Sequence, residues 1–212
     1  MALKNLRVRK LSLSDVNKAV EILSRAFHED PLWLYLTSNE QKRKKWQKKF
    51  FKTLILLQFG SVEILGVSMP LEGVALWEFP DTPIVSLKEI FNRMIKSGII
   101  SLTFSSFIFK IFKVTKVFSK IQELHNKYAP ESHYYLSSIA VQPESQGKGL
   151  ASVLINFILD KADSKYISAY TETVTPRNVS FYQHFGFKIM EKYDFPKKNL
   201  SVWSLYRPAK KR

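Results

Sequence analysis

At 212 residues, 45% hydrophobic and 14% aromatic, the chain can bury one sizeable core and is too apolar for disorder. Its formal charge of +15, from 33 Lys and Arg against 18 Asp and Glu, favours anionic partners: nucleic acid, a membrane surface or an anionic cofactor. With no cysteine, disulfides, thiolate nucleophiles and cysteine-held metals are excluded, which is compatible with a reducing cytosol.

The opening residues, MALKNLRVRK, lack the apolar centre of a signal peptide, so a cytoplasmic protein is expected. Residues 6–10 alternate as a short strand. Ser14 is placed to cap a helix with Val16, Ala19, Val20, Leu23, Ala26 and Phe27 on one face. Asp30-Pro31 is expected to end it, because proline keeps the preceding residue out of α geometry. Residues 41–49, QKRKKWQKK, set six basic side chains around Trp46 and lead into Phe50, Leu54 and Leu57 at helical spacing, with Gly60 as the stop. This run reads as a solvated face whose tryptophan turns to the core; the alternative is a patch for nucleic acid or an acidic substrate.

Residues 62–68 and 73–79 read as a hairpin through Met69-Pro70-Leu71-Glu72, closed by Pro80 and Pro83. Ser86 and Glu89 have capping-box spacing ahead of Ile90, Phe91, Met94 and Ile95, in a helix ending near Gly98. In residues 99–128, Phe104, Phe107, Ile108, Ile111 and Phe112 alternate with Lys110, Lys113, Lys116 and Lys120. That charge density disfavours a bilayer span, so a long helix packed on the sheet is expected, with a membrane-surface helix or a wall of a substrate gorge as alternatives.

Residues 133–151, HYYLSSIAVQPESQGKGLA, join an apolar strand to a turn of phosphate size. Alternation puts Tyr134, Leu136, Ser138 and Ala140 on one face, and Pro143 ends the strand. Gln146-Gly147-Lys148-Gly149-Leu150-Ala151 then opens a helix with Leu150, Val153, Leu154, Phe157 and Ile158 at helical spacing. A helix N-terminus carries unpaired N–H groups and the positive dipole end, and glycine lets an anion approach the backbone, so a pyrophosphate suits it. The spacing fits neither a P-loop nor a dinucleotide Gly-x-Gly-x-x-Gly.

Residues 166–173 read as a strand. Pro176 and Asn178 start a short helix, with Asn178 as its cap and Gly186 as its stop, before strands at 187–193 and 200–206. No linker or repeat divides residues 1–212, so a single domain is expected. Four scattered histidines without a carboxylate motif predict no metal site.

Three motifs resemble the GNAT (Gcn5-related) N-acetyltransferase superfamily. Gln146, Gly149 and Ala151 match its Gln/Arg-x-x-Gly-x-Gly/Ala signature, behind the strand end Ile139-Ala140-Val141. Residues 178–187, NVSFYQHFGF, look like its Asn-x-x-Phe-Tyr-x-x-x-Gly-Phe segment. Residues 26–31, AFHEDP, resemble a Phe-x-x-Asp-Pro of a bacterial and fungal small-molecule-type subset. The resemblance implies an α/β (α+β) GNAT fold: a mixed, mostly antiparallel sheet of about six to seven strands flanked by helices, with an extra helical insertion at about 86–128.

It further implies direct transfer of the acetyl group of acetyl-CoA to a primary amine of a small molecule or peptide in a ternary complex, without metal. Ile139, Ala140 and Val141 would then hold the pantetheine arm, with Asn178 beside it. Gln146, Gly147, Lys148, Gly149, Leu150 and Ala151 would hold the pyrophosphate. The Val141 N–H is assigned to the oxyanion and Tyr182 to protonation or positioning of the leaving sulfur. Glu172 is the best of three candidate bases, ahead of Glu78 and His133. The competing functions are a nucleic-acid or membrane-surface binding protein and a non-catalytic acyl-CoA sensor. A monomer or homodimer is expected.

Overall fold

The structure, a computed structural model, describes residues 6–60, 62–68, 70–80, 105–196 and 199–210, with the side chains of 105–114 excepted. Seven strands among these form one open sheet in the order β1-β2-β3-β4-β5-β7-β6. They are β1 (Val8–Lys10), β2 (Glu63–Val67), β3 (Gly73–Glu78), β4 (His133–Val141), β5 (Ser168–Thr173), β6 (Lys188–Asp194) and β7 (Ser201–Arg207). Every neighbouring pair is antiparallel except β4 and β5. A parallel pair needs a crossover between its strands, which the helix α5 (Leu150–Ser164) supplies; this is the helix that the QGKGLA turn opens.

Helices cover both faces. On one, α5 and α6 (Pro176–His184) pack on Leu65, Val67, Ala75, Trp77, Tyr134 and Leu136. On the other, α1 (Val16–Ala26), α2 (Pro31–Leu36) and α3 (Glu40–Gln58) enclose Ile64, Val74, Leu76 and Ala140. The long helix α4 (Ser105–Tyr128) sets Val117 and Leu124 against Phe195, Leu200 and Val202. The helix expected at 86–98 lies outside the described residues.

Several local expectations are corrected. The first helix is entered through a turn closed by Ser12, not Ser14: the Ser12 N–H donates to the Asp15 carboxylate at 2.9 Å. Pro31 does not merely follow a helix but opens α2 as its first residue, where its missing N–H costs nothing, and Asp30 caps that helix by accepting from the Leu32 N–H at 3.0 Å. Tyr166 belongs to the turn before β5, with φ +56°. In the basic run Arg43 is buried, donating to the His28 carbonyl at 2.9 Å and to Glu29 at 2.9 Å, so it braces the α1–α3 corner.

The largest correction concerns β4. Leu76 pairs with Ser138 but Trp77 pairs with Leu136, so Ser137 is an extra residue. Such a bulge reverses the alternation across it. Leu136 therefore packs with α5, Ala140 packs with α1 and α3, and Val141 returns to the α5 side. The single face expected for Tyr134 through Ala140 does not exist.

Candidate active site

β4 and β5 run together only from His133 opposite Ser168 to Leu136 opposite Thr171. Beyond that, β5 continues on β7 through Thr173, while β4 continues on β3 through Val141. Residues 137–141 of β4 thus keep one strand neighbour and an open edge. The Gln142 N–H donates to the Glu72 carbonyl at 2.8 Å, on the β3 side. Successive residues alternate, so Val141 and Ile139 present their backbone groups to the open edge. Gln146 meets them there, its side-chain amide donating to the Val141 carbonyl at 3.2 Å.

Below this edge sits the turn. Gly147 and Gly149 have φ of +77° and +79°, the left-handed region that a side chain resists, and Gly149 is the residue from which α5 departs. Leu150 anchors the first turn in the core at 3% exposure. The loop is held from behind: Glu72 accepts hydrogen bonds from Ser145 and, at 3.2 Å, from the Gln142 amide. The Ser145 hydrogen bond keeps the Glu72 carboxyl below its ordinary pKa. Lys148 reaches the Ser145 hydroxyl at 3.2 Å, and Glu144 pairs with Arg25 of α1. The amides of the first turn of α5 and the two glycines are therefore fixed beside the open edge of β4.

Tyr182 enters from α6 and is buried at 5% exposure. Burial raises its phenol above the usual 10, with the neighbouring Thr171 hydroxyl partly opposing that, so the group stays protonated. Asn178 is not the cap of this helix. Thr175 holds that position, and Asn178 lies one turn inside, its amide 3.5 Å from the Thr173 hydroxyl. Thr175 in turn donates to Asp30 at 2.9 Å, tying the entry of α2 to the entry of α6.

Thr171 and Glu172 are successive, so their side chains leave opposite faces of β5. Glu172 points away from Tyr182's neighbour Thr171, into a cluster under α4. Its side chain is 5% exposed, and burial raises its pKa to about 8, with the Tyr135 hydroxyl drawing it partly down and the Glu78 charge pushing it up. Glu78, at the end of β3, is raised to about 7 by burial despite a hydrogen bond from Gln58 at 3.0 Å. The three candidate bases, Glu172, Glu78 and His133, thus come together, and a fourth group joins them that sequence reasoning passed over. His125 of α4, 3% exposed, lies with its Nδ1 3.9 Å from Glu172 and its Nε2 2.7 Å from His133 Nε2. Its spacing from Val117, Ile121 and Leu124 placed it on the buried side of α4, a signal available in the sequence.

A cavity of about 430 Å³ opens at this cluster, lined by Glu78, Phe79, His125, Glu131, His133 and Tyr135 among others. Among the described residues that line it, two are carboxylic acids, Glu78 and Glu131, and none is Lys or Arg. Among the described residues no group of three or more His, Cys, Asp or Glu could hold a metal ion, and no helix is long and apolar enough to cross a membrane.

Comparison with known proteins shows what this arrangement is similar to. The acetyltransferase (GNAT) family model matches residues 116–187, from α4 through the turn and α6. An uncharacterized N-acetyltransferase of Schizosaccharomyces pombe is 26% identical over 92% of this chain and 79% of its own length. Among solved structures, a protein of Corynebacterium glutamicum titled histone acetyltransferase HPA2 and related acetyltransferase superposes with TM-score 0.67 at 20% identity, over 98% of each chain. The PaiA N-acetyltransferase of Thermoplasma acidophilum, solved in complex with coenzyme A, gives TM-score 0.56 at 15% identity over 96% of this chain and 99% of its own. Family model, relative and fold thus all point to the GNAT acetyltransferases, the family match covering residues 116–187, which hold the strand, turn and helix built above.

Proposed function

We propose that the protein transfers the acetyl group of acetyl-CoA directly to a primary amine of a small molecule or peptide, with both substrates bound at once. The observation that carries this reading is the open edge of β4 at Ile139 and Val141, set beside a turn whose two glycines have positive φ at the head of α5. The pantetheine arm is peptide-like and can pair with an unsatisfied strand edge as a further strand does, while its pyrophosphate takes the amides of residues 147–151. The coenzyme A complex of the T. acidophilum relative supports the same donor. Lys148, exposed beside the turn, adds charge.

The acid-lined cavity supports an amine acceptor, since an ammonium group is drawn to carboxylates, and among the described lining residues none is a Lys or Arg. The amine nitrogen attacks the thioester carbon, and the oxygen takes the developing charge, for which the Val141 N–H is the donor on the open edge. The neutral Tyr182 phenol hydrogen-bonds or protonates the departing sulfur. Glu172, with a pKa of about 8, takes the proton from the amine. Asn178 contributes from one turn inside α6 by holding Thr173 at the mouth of the opening.

Thermal unfolding with acetyl-CoA tests the donor site. Acetyl-CoA raises the melting temperature of the wild type, because it binds the folded state alone, and Gly149→Val loses that protection. No protection of the wild type at millimolar acetyl-CoA contradicts the reading.

A further inference from the structure

A base whose side chain is 5% exposed must release each proton it collects before the next turnover, and β5 gives Glu172 no direct contact with solvent. One of its oxygens, Oε1, has no hydrogen-bond partner among the described residues. His125 Nδ1 lies 3.9 Å from that oxygen. His125 is held between rings, with its centroid 4.5 Å from Tyr135 and 4.7 Å from Tyr170. Its far nitrogen, Nε2, meets His133 Nε2 at 2.7 Å. His133 is only half-buried, and its Nδ1 lies 2.6 Å from the carbonyl of exposed Glu131. Exposure therefore increases stepwise from Glu172 and His125 through His133 to Glu131, and the last three line the cavity.

Chemistry fixes the direction of each hydrogen bond. A carbonyl only accepts, so His133 carries its proton on Nδ1, and its Nε2 is a lone pair in the neutral ring. The short contact then requires the proton of His125 on Nε2, which leaves the His125 Nδ1 lone pair facing Glu172. Burial lowers the pKa of both imidazoles, that of His125 to about 4, so both rings rest neutral.

We propose that His125 and His133 form a relay that carries the proton taken up by Glu172 out to solvent in the cavity. The inference rests on the acetyl-transfer reading above and concerns how its base is reset. The protonated Glu172 carboxyl gives its O–H proton to His125 Nδ1, through a small approach or one bridging water across the 3.9 Å gap. The His125 Nε2 proton moves to His133 Nε2, and the His133 Nδ1 proton, once its hydrogen bond to the Glu131 carbonyl is exchanged for one to water, passes to water in the cavity. Glu172 ends as a carboxylate, and both rings end neutral with exchanged tautomers, which reorientation of the rings restores before the next turnover. No electron moves and no further reactant is needed. The other ionisable groups around the pair are Glu78, Tyr135 and Tyr170 from the sheet and Glu131 from the loop before β4. Among the described residues neither Lys nor Arg lines the cavity to repel the emerging proton.

The test compares wild type with His133→Ala and His133→Asn by thiol release from acetyl-CoA over a panel of primary amines. At saturating acetyl-CoA, kcat falls by about tenfold or more in both variants, while KM for the amine stays within about twofold. Added imidazole restores kcat in His133→Ala in proportion to its free-base concentration, since the gap left by the ring opens on the cavity. A histidine that only bolts α4 to the sheet gives no such rescue. Unchanged kcat in both variants, or a loss that imidazole does not restore, overturns the relay. Nitrogen-15 NMR of the wild-type rings is the second arm: His133 protonated on Nδ1 and His125 on Nε2 are expected, and any other tautomer pair overturns the proposal whatever the variants do. Should the wild type release no thiol with any amine although the rings show these tautomers, the acetyl-transfer reading fails and the relay falls with it.

Discussion

The side chain of Gln146 donates to the backbone carbonyl of Val141 at 3.2 Å, joining the turn that heads α5 to the open edge of β4. The two parts of the donor site are thereby held in one register. Replacing Gln146 by Ala removes one hydrogen bond of about 1 kcal/mol and frees the turn, so coenzyme A affinity falls by roughly five- to tenfold with the unfolding midpoint little changed. Isothermal titration with coenzyme A measures it; equal affinity in the variant refutes the coupling.

Tyr182 is buried and neutral, and its removal to Phe leaves the ring in place. A proton donor to the sulfur acts on the chemical step. Tyr182→Phe therefore lowers kcat by about 100-fold or more while KM for acetyl-CoA changes little. Steady-state kinetics on both substrates check this, and a pure KM effect assigns Tyr182 to binding.

Stability should depend on pH through the buried cluster. Glu172 and Glu78 have folded pKa values of about 8 and about 7, above the ordinary carboxyl value, so they hold protons in the folded state that the unfolded chain has lost. Their contribution is full below the unfolded carboxyl pKa and is lost as pH rises through their folded values. His125 acts oppositely: its folded pKa of about 4 lies below the ordinary 6.5, so its contribution is present above pH 6.5 and lost as pH falls toward 4. Between about pH 6.5 and 8 only the carboxyls act, and the melting temperature declines as pH rises. Glu172→Gln flattens that decline, as calorimetry at fixed ionic strength can show.

Arg207 at the end of β7 is 2% exposed, grips Asp163 of α5 through two bonds of 2.7 and 2.6 Å, and donates to the Phe185 carbonyl at 2.8 Å. It locks the end of α6, which carries Tyr182, to α5. Arg207→Ala removes the charged partner of Asp163, leaving it the Lys210 N–H at 2.9 Å, and costs about 3 kcal/mol. That corresponds to a fall in melting temperature of roughly 6–12 °C. A fall of less than 2 °C contradicts this role.

What the sequence showed and what it hid follow from the range of each interaction. The glycine turn was legible because Gly147 and Gly149 sit where φ is positive, a demand met by residue type alone. The Ser137 bulge was not, because a strand's own alternation carries no sign of how its neighbour pairs. Asn178 and Thr175 both suit a helix start, and only the Asp30 partner, 145 residues from Thr175, shows which one takes it. Arg43 reads as one more surface charge in a basic run until α1 and α3 cross over it. The meeting of Glu78, Glu172, His125 and His133 is a product of the sheet order, which places three strands and α4 at one point.

Thiol release from acetyl-CoA, followed in the presence and absence of a panel of primary amines, decides whether the protein transfers acetyl groups to amines. Release is expected to depend on both acetyl-CoA and at least one amine, with one acetylated amine formed per thiol. Acetyl-CoA that binds and protects the protein from heat, yet yields no amine-dependent thiol with any member of the panel, would contradict it.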